Sequence, residues 1–174
     1  MSLLKESCRA LPGSVPAGVL ATVTMDVAMV LASRVAPDAI ASDKIDLEVI
    51  GRWAESLGRG RWHHADITAE PKLRGELVVG LAVHYLMGIA LTEAYFVLLR
   101  RGGLRPGPLK ATAFGLATSV LPLLVLYPSM GYGCCARRSG DARRLVRIML
   151  LGHTAFGAGI GLCSTLARGH AAAE

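Results

Sequence analysis

The sequence predicts an all-α integral membrane protein. It is a four-helix bundle whose long connection between the first two helices carries a short interfacial helix. Two observations predict the bundle. Four apolar runs, residues 18–36, 77–99, 111–128 and 145–167, each approach the roughly 20 residues needed to cross a hydrocarbon core of about 30 Å. The 174 residues are 52% hydrophobic, and between these runs the chain is basic and rich in Gly and Pro rather than amphipathic or alternating. Twenty glycines fit as well, because Gly is commoner in membrane helices than in soluble ones. The chain is read as one membrane domain, residues 1–174.

The elements follow in order. Residues 1–17 contain Lys5, Glu6 and Arg9 and no apolar core of signal-peptide length, so the first span is expected to stay as an anchor. The 37–76 connection is too long for a simple turn. Within it Leu47, Ile50, Ala54 and Leu57 recur at helical spacing, with Ser42 or Asp43 as cap and Gly58 as stop. This predicts a helix over 43–57, lying on the membrane or on the surface of the bundle. Both tryptophans, Trp53 and Trp62, fall in this connection, and Trp favours the membrane–water interface. Pro122 is expected to kink the third span and free a carbonyl. Arg147 lies in the first turn of the fourth, where it can snorkel to the headgroups.

Four spans put both termini on one side, side A. Side B carries twelve Lys and Arg residues against seven on side A, which predicts side B in the cytoplasm and an inner-membrane, multi-pass protein with extracytoplasmic termini. The excess of six positive charges does not read as nucleic-acid binding, since the basic residues cluster in connections without interleaved stacking aromatics.

Three ionisable residues fall inside the spans: Asp26, His84 and His153. Such groups are costly in hydrocarbon and mark functional sites by default. At about 1.5 Å per residue, all three lie roughly 10–15 Å below the side-B surface, in three different spans. Each shares a helix face with small or polar residues: Thr22 and Ser33 with Asp26, Gly80 and Gly88 with His84, and Gly157 and Ser164 with His153. An Asp near a His favours the imidazolium and fixes its tautomer. Such a cluster suits acid–base catalysis, ligand binding, proton transport or a structural lock.

An internal echo is present. Ala21-Thr22 in the first span resembles Ala117-Thr118 in the third, and His84-x-x-x-Gly88 resembles His153-x-x-x-Gly157. This is the pattern of a duplicated two-helix hairpin related by an axis along the membrane normal.

Other features are weaker. Glu93 lies nearer side A and faces away from His84, toward Arg100, Arg101 or an oligomer contact. His63, His64 and Asp66 follow Arg59-Gly60-Arg61-Trp62 and read as an entrance over the buried layer or as a solvated basic loop touching anionic lipid. Cys8, Cys134, Cys135 and Cys163 contain no C-x-x-C and read as free thiols. Two histidines and a carboxylate match an open metal site in type, but no helix carries an i, i+4 His pair, so no metal is assigned. No cofactor is identified.

Several motifs together resemble an uncharacterised bacterial membrane family, domain of unknown function 2938, over about residues 16–167. They are Thr24-Met25-Asp26, Gly51-Arg52-Trp53, Gly60-Arg61-Trp62-His63-His64 and Pro71-x-x-Arg74-Gly75-Glu76. They continue as His84-Tyr85-x-x-Gly88-Ile89, Pro128-x-Met130-Gly131 and His153-x-x-Phe156-Gly157. The resemblance implies a small bacterial inner-membrane protein of several helices, with no assigned activity. Where the family has one His before an Asp, this chain has His63-His64-Ala65-Asp66.

The leading functional expectation is a membrane-embedded site for a lipophilic small molecule, with Asp26 as acid/base or counter-ion and His84 and His153 as proton carriers or donors. Isomerisation or cyclisation of an isoprenoid or quinone-like substrate is its concrete form. The alternatives are a structural or accessory subunit of a membrane complex, or a proton-coupled transporter acting as an oligomer. Gly157-x-x-x-Gly161 provides for close helix contact. The expected partners are the bilayer, the lipophilic ligand, and a second copy or a membrane complex.

Overall fold

A computed structural model describes residues 13–40 and 46–171, with side chains through residue 166. Helix α1 (Ser14–Val35) is the first span. A single turn, Pro37–Ile40, follows it. Helix α2 (Leu47–Gly58) is the short helix of the long connection. The remaining spans are α3 (Glu76–Arg101), α4 (Pro108–Ser129) and α5 (Ala142–Ala171). The four spans are long and apolar enough to cross a membrane, and no strand occurs among the described residues.

The spans pack as a row. Helix α1 lies between α3 and α5, and α5 in turn packs on α4. Helices α3 and α4 meet sparingly, through the Tyr95 and Phe114 rings 5.3 Å apart. The α4–α5 contact is backbone on backbone, because a Cβ on Gly157 would stand 2.5 Å from the Ala111 carbonyl oxygen and 3.0 Å from the Gly115 Cα. Small residues permit this approach, which drives helix association in lipid. A Cβ on Gly161 would likewise stand 2.9 Å from Pro108, so both glycines of Gly157-x-x-x-Gly161 face α4 of the same chain.

Two apolar cores result. The side-A core gathers Ala21, Tyr95, Phe96, Phe156 and Ile160. The side-B core gathers Ile67, Tyr127, Met130, Leu145 and Ile148. In sequence, Asp26 and His153 fall between the residues their helices give to the side-A core and those they give to the side-B core, and so does Thr118 of α4. The polar side chains therefore form a belt between two greasy ends.

Helix α2 is capped by Asp46, whose carboxylate accepts from the Val49 N–H at 2.7 Å. The suggested caps Ser42 and Asp43 lie outside the described residues. The helix runs four residues later than expected at its start and stops at Gly58. Its most buried line is Val49, Arg52 and Ser56, while the apolar stripe of Leu47, Ile50, Ala54 and Leu57 is half-buried. The reason is an ion pair that periodicity of apolar residues does not reveal. Arg52 points inward to Glu76, and Gly51 crosses Gly80 so closely that a Cβ on either would overlap backbone carbonyl of the facing helix.

The chain between α2 and α3 is pinned to the side-B end of α4. The His64 N–H donates to the Ser129 carbonyl at 2.8 Å and the Ile67 N–H to the Met130 carbonyl at 3.1 Å. Pro122, which lacks an N–H, opens a π-helical turn over Pro122–Leu126.

A candidate membrane-embedded acid–base site

Asp26 and His84 meet across the α1–α3 interface. The His84 Nε2–H donates to Asp26 Oδ1 at 2.9 Å, and the Tyr85 hydroxyl donates to Asp26 Oδ2 at 3.0 Å. An ionised carboxylate only accepts, so this pairing places a proton on Nε2 and leaves Nδ1 of a neutral His84 as the basic nitrogen. Two consecutive residues of α3 thus hold both oxygens of one carboxylate. The His84 and Tyr85 rings stand edge to face, 5.6 Å apart. One turn along, Gly88 receives the Thr22 side chain and lets α1 and α3 come close.

The carboxylate is not sealed. The Asp26 side chain is 41% exposed, and that of His84 15%. Around it α1 turns Val23, Val27 and Val30 outward, and α3 turns Leu81 outward. The exposed part of the carboxylate is therefore bordered by exposed apolar side chains of both helices.

His153 does not reach Asp26. Its Nδ1 lies 2.8 Å from Thr118 Oγ1 on α4. The Thr118 hydroxyl already donates to the Gly115 carbonyl at 2.6 Å, so Nδ1 carries the proton and Thr118 accepts it. The Nε2 lone pair of His153 then remains available as a base. The structure brings Asp26 and His84 into direct contact and leaves His153 as a neighbour tied to a different helix.

The two halves of the sequence echo make different contacts here. Thr22 meets Gly88, and Thr118 meets His153 above the Gly115–Gly157 contact. The position four residues after Thr22 is Asp26, whereas four after Thr118 stands Pro122. The α4–α5 hairpin lacks the acid, and its histidine bonds the threonine instead.

Sequence reasoning missed Tyr85 and Thr118. The signal for Tyr85 was a phenol next to the histidine, about 100° around the helix, within reach of the second carboxylate oxygen. Thr118 was noticed only as half of a repeated dipeptide.

A second polar group lies at the side-B end. The Arg52 guanidinium grips Glu76 with two bonds, Nε to Oε2 at 2.9 Å and Nη2 to Oε1 at 2.8 Å. Its Nη1 donates to the carbonyls of Ile67 and Glu70, and the Leu73 N–H donates to Glu76 Oε2. The Glu76 hydrogen bond raises the Arg52 pKa above its ordinary value. Beside this pair, Glu70 Oε1 accepts from His64 Nδ1 at 2.6 Å and from Arg61 Nη2 at 2.7 Å. The His64 hydrogen bond, aided by the Arg61 charge, lowers the Glu70 pKa below 4.5. Asp66 caps a short turn through Thr68. His64 and Asp66 therefore organise the connection itself; His64 is buried, while His63 and Asp66 are exposed. Glu93 pairs with Arg100 at 2.7 Å. Among the described residues no group of three metal-ligating side chains converges.

Fold and polar belt together define a small polytopic helical membrane protein with an ionisable cluster between its spans. The family described as "Protein of unknown function (DUF2938)" matches residues 15–167, and the chain belongs to it. Comparison with curated proteins and with solved structures gave no match.

Proposed function

We propose that Asp26, His84 and Tyr85 form a membrane-embedded acid–base site for a lipophilic small molecule entering from the bilayer between α1 and α3. The observation that carries this reading is the half-open carboxylate. A purely structural Asp in hydrocarbon gains most from being enclosed, yet Asp26 keeps 41% of its side chain exposed beside an otherwise apolar surface. A ligand hydroxyl or carbonyl can reach the group sideways while its hydrocarbon lies along Val23 and Val27. In the catalytic form, one member of the group protonates one carbon of an isoprenoid-like chain and another removes a proton elsewhere. Such an isomerisation or cyclisation consumes no co-reactant.

The test is to purify wild type and Asp26→Asn from membranes and compare the apolar molecules each carries by mass spectrometry. A compound retained by wild type and depleted in Asp26→Asn supports the site. Identical extracts, with both proteins folded, would sink it.

The structural alternative draws support from His153, which ties α5 to α4 through Thr118. On that reading the belt locks helices together, and loss of any member lowers stability. The Gly157-x-x-x-Gly161 motif adds nothing to a partner-binding version, since both glycines are used within the chain.

A further inference from the structure

Five arginines, Arg137, Arg138, Arg143, Arg144 and Arg147, crowd the end of the α4–α5 connection and the first turns of α5, with one acid, Asp141, among them. Asp141 pairs with Arg144 at 3.3 Å. Arg137, Arg138, Arg143 and Arg147 are exposed, and among the described residues none has a carboxylate in ion-pair range. The contrast with the other side-B segment is sharp. There Arg52, Arg59, Arg61 and Lys72 each have a glutamate.

The cluster is not a loose tail. Ala136 is fully buried, the Arg138 N–H donates to the Tyr132 carbonyl at 2.8 Å, and Cys135 and Ala136 are both held at positive φ, 52° and 58°. Non-glycine residues occupy that region at a cost, so packing fixes this turn and with it the origin of Arg137 and Arg138. Like charges gathered on one short connection and the helix turn after it repel unless an anion joins them.

The face of α5 says which anion. Leu145 and Ile148 point into the side-B core, so Arg143 and Arg147, four residues apart, lie on the outward face. The same face continues to Leu150 and Leu151, each 39% exposed in the hydrocarbon-crossing part of the helix. Guanidinium groups above an apolar stripe match a phosphate headgroup above acyl chains, and fit a soluble anion poorly.

We propose that Arg137, Arg138, Arg143 and Arg147 bind the headgroup phosphates of an anionic phospholipid whose acyl chains run down α5 over Leu150 and Leu151. Arginine suits the role because its planar fork pairs with phosphate oxygens two at a time. The site is independent of the Asp26 group, which opens between other helices.

The full chain is reconstituted in phosphatidylcholine nanodiscs, with and without phosphatidylglycerol, and thermal unfolding and retained lipid are measured. Phosphatidylglycerol is expected to raise the wild-type Tm and to be retained in preference to phosphatidylcholine. Substituting Gln lowers apparent affinity by about fivefold per arginine removed. Arg101→Gln with Arg105→Gln, on side A, leaves the preference intact. Should the fourfold variant fail to fold, Arg143→Gln with Arg147→Gln tests the outward face alone, and lysine at both positions keeps part of the effect. The proposal is overturned if the glutamine variants retain phosphatidylglycerol as wild type does, or if the side-A pair loses as much. It is equally overturned if glycerol phosphate, which has the headgroup charge and no chains, gives the same stabilisation.

Discussion

Arg52 and Glu76 face each other through two parallel N–H···O contacts, with their side chains 4% and 5% exposed. Three more bonds tie the pair to the backbone of the same connection, from Nη1 to the carbonyls of Ile67 and Glu70 and from the Leu73 N–H to Glu76 Oε2. Such a pair is weak evidence of net stability, but breaking it strands one buried charge. Glu76→Gln or Arg52→Met is therefore expected to cost about 3 kcal/mol or more, and Arg52→Met with Glu76→Leu to recover much of the loss. Chemical denaturation in detergent checks this, and a double variant no better than the singles would contradict it.

Stability of the 61–70 connection should depend on acid. Glu70 is held below its ordinary value of 4.5, first by His64 and then by Arg61, with Arg52 bonded to its carbonyl. A depressed folded pKa contributes stability that is fully present above the unfolded value and is lost as pH falls through the folded one. Amide exchange of His64 and Ile67 should therefore speed up below pH 4.5 in wild type. Glu70→Gln should remove that dependence. An unchanged acid response in the variant would assign the effect elsewhere.

The crossing of α2 over α3 tolerates no side chain. Gly51→Ala or Gly80→Ala is expected to destabilise by about 3 kcal/mol, because backbone rather than a flexible side chain must give way. Gly58→Ala, with open space around its Cβ, serves as the control. Equal melting of all three would show that α2 is not seated as described.

Within the belt, Tyr85→Phe removes one donor from Asp26 and should cost about 0.6 kcal/mol, the average for such bonds in membranes. Thr118→Val should cost more, since it leaves the His153 Nδ1–H unpaired, and Thr118→Ser should restore wild-type behaviour. If the acid–base reading holds, Asp26→Asn leaves stability unchanged or raised while ligand retention falls, as is common for active-site polar groups. A large loss of stability in Asp26→Asn, His84→Ala and His153→Ala alike would favour the structural reading.

The four spans were legible because hydropathy over about 20 residues is enough to mark a crossing. That Asp26 and His84 share a level was also legible, since helical rise converts position into level. What depth cannot supply is azimuth and helix order. Residues at one level in four helices can pair in several ways, and which pairs form depends on which helices are neighbours. Here α3 packs mainly on α1, and α5 on α1 and α4, so His84 finds Asp26 and His153 turns to Thr118. The inward face of α2 was not legible for a related reason. A hydrophobic pattern reports apolar burial, and Arg52 is buried by a partner 24 residues away. Pro122 marked where the third span departs from regular α-helix, but the form of the departure, a π turn, is not set by the residue type alone.

The bonds from His64 to Ser129 and from Ile67 to Met130 bear on biogenesis. The donors emerge from the ribosome after the first span, and their acceptors only after the third. Until then the connection waits with its backbone unmatched, so the side-B end of the molecule closes late, as a latch on an already inserted helical hairpin.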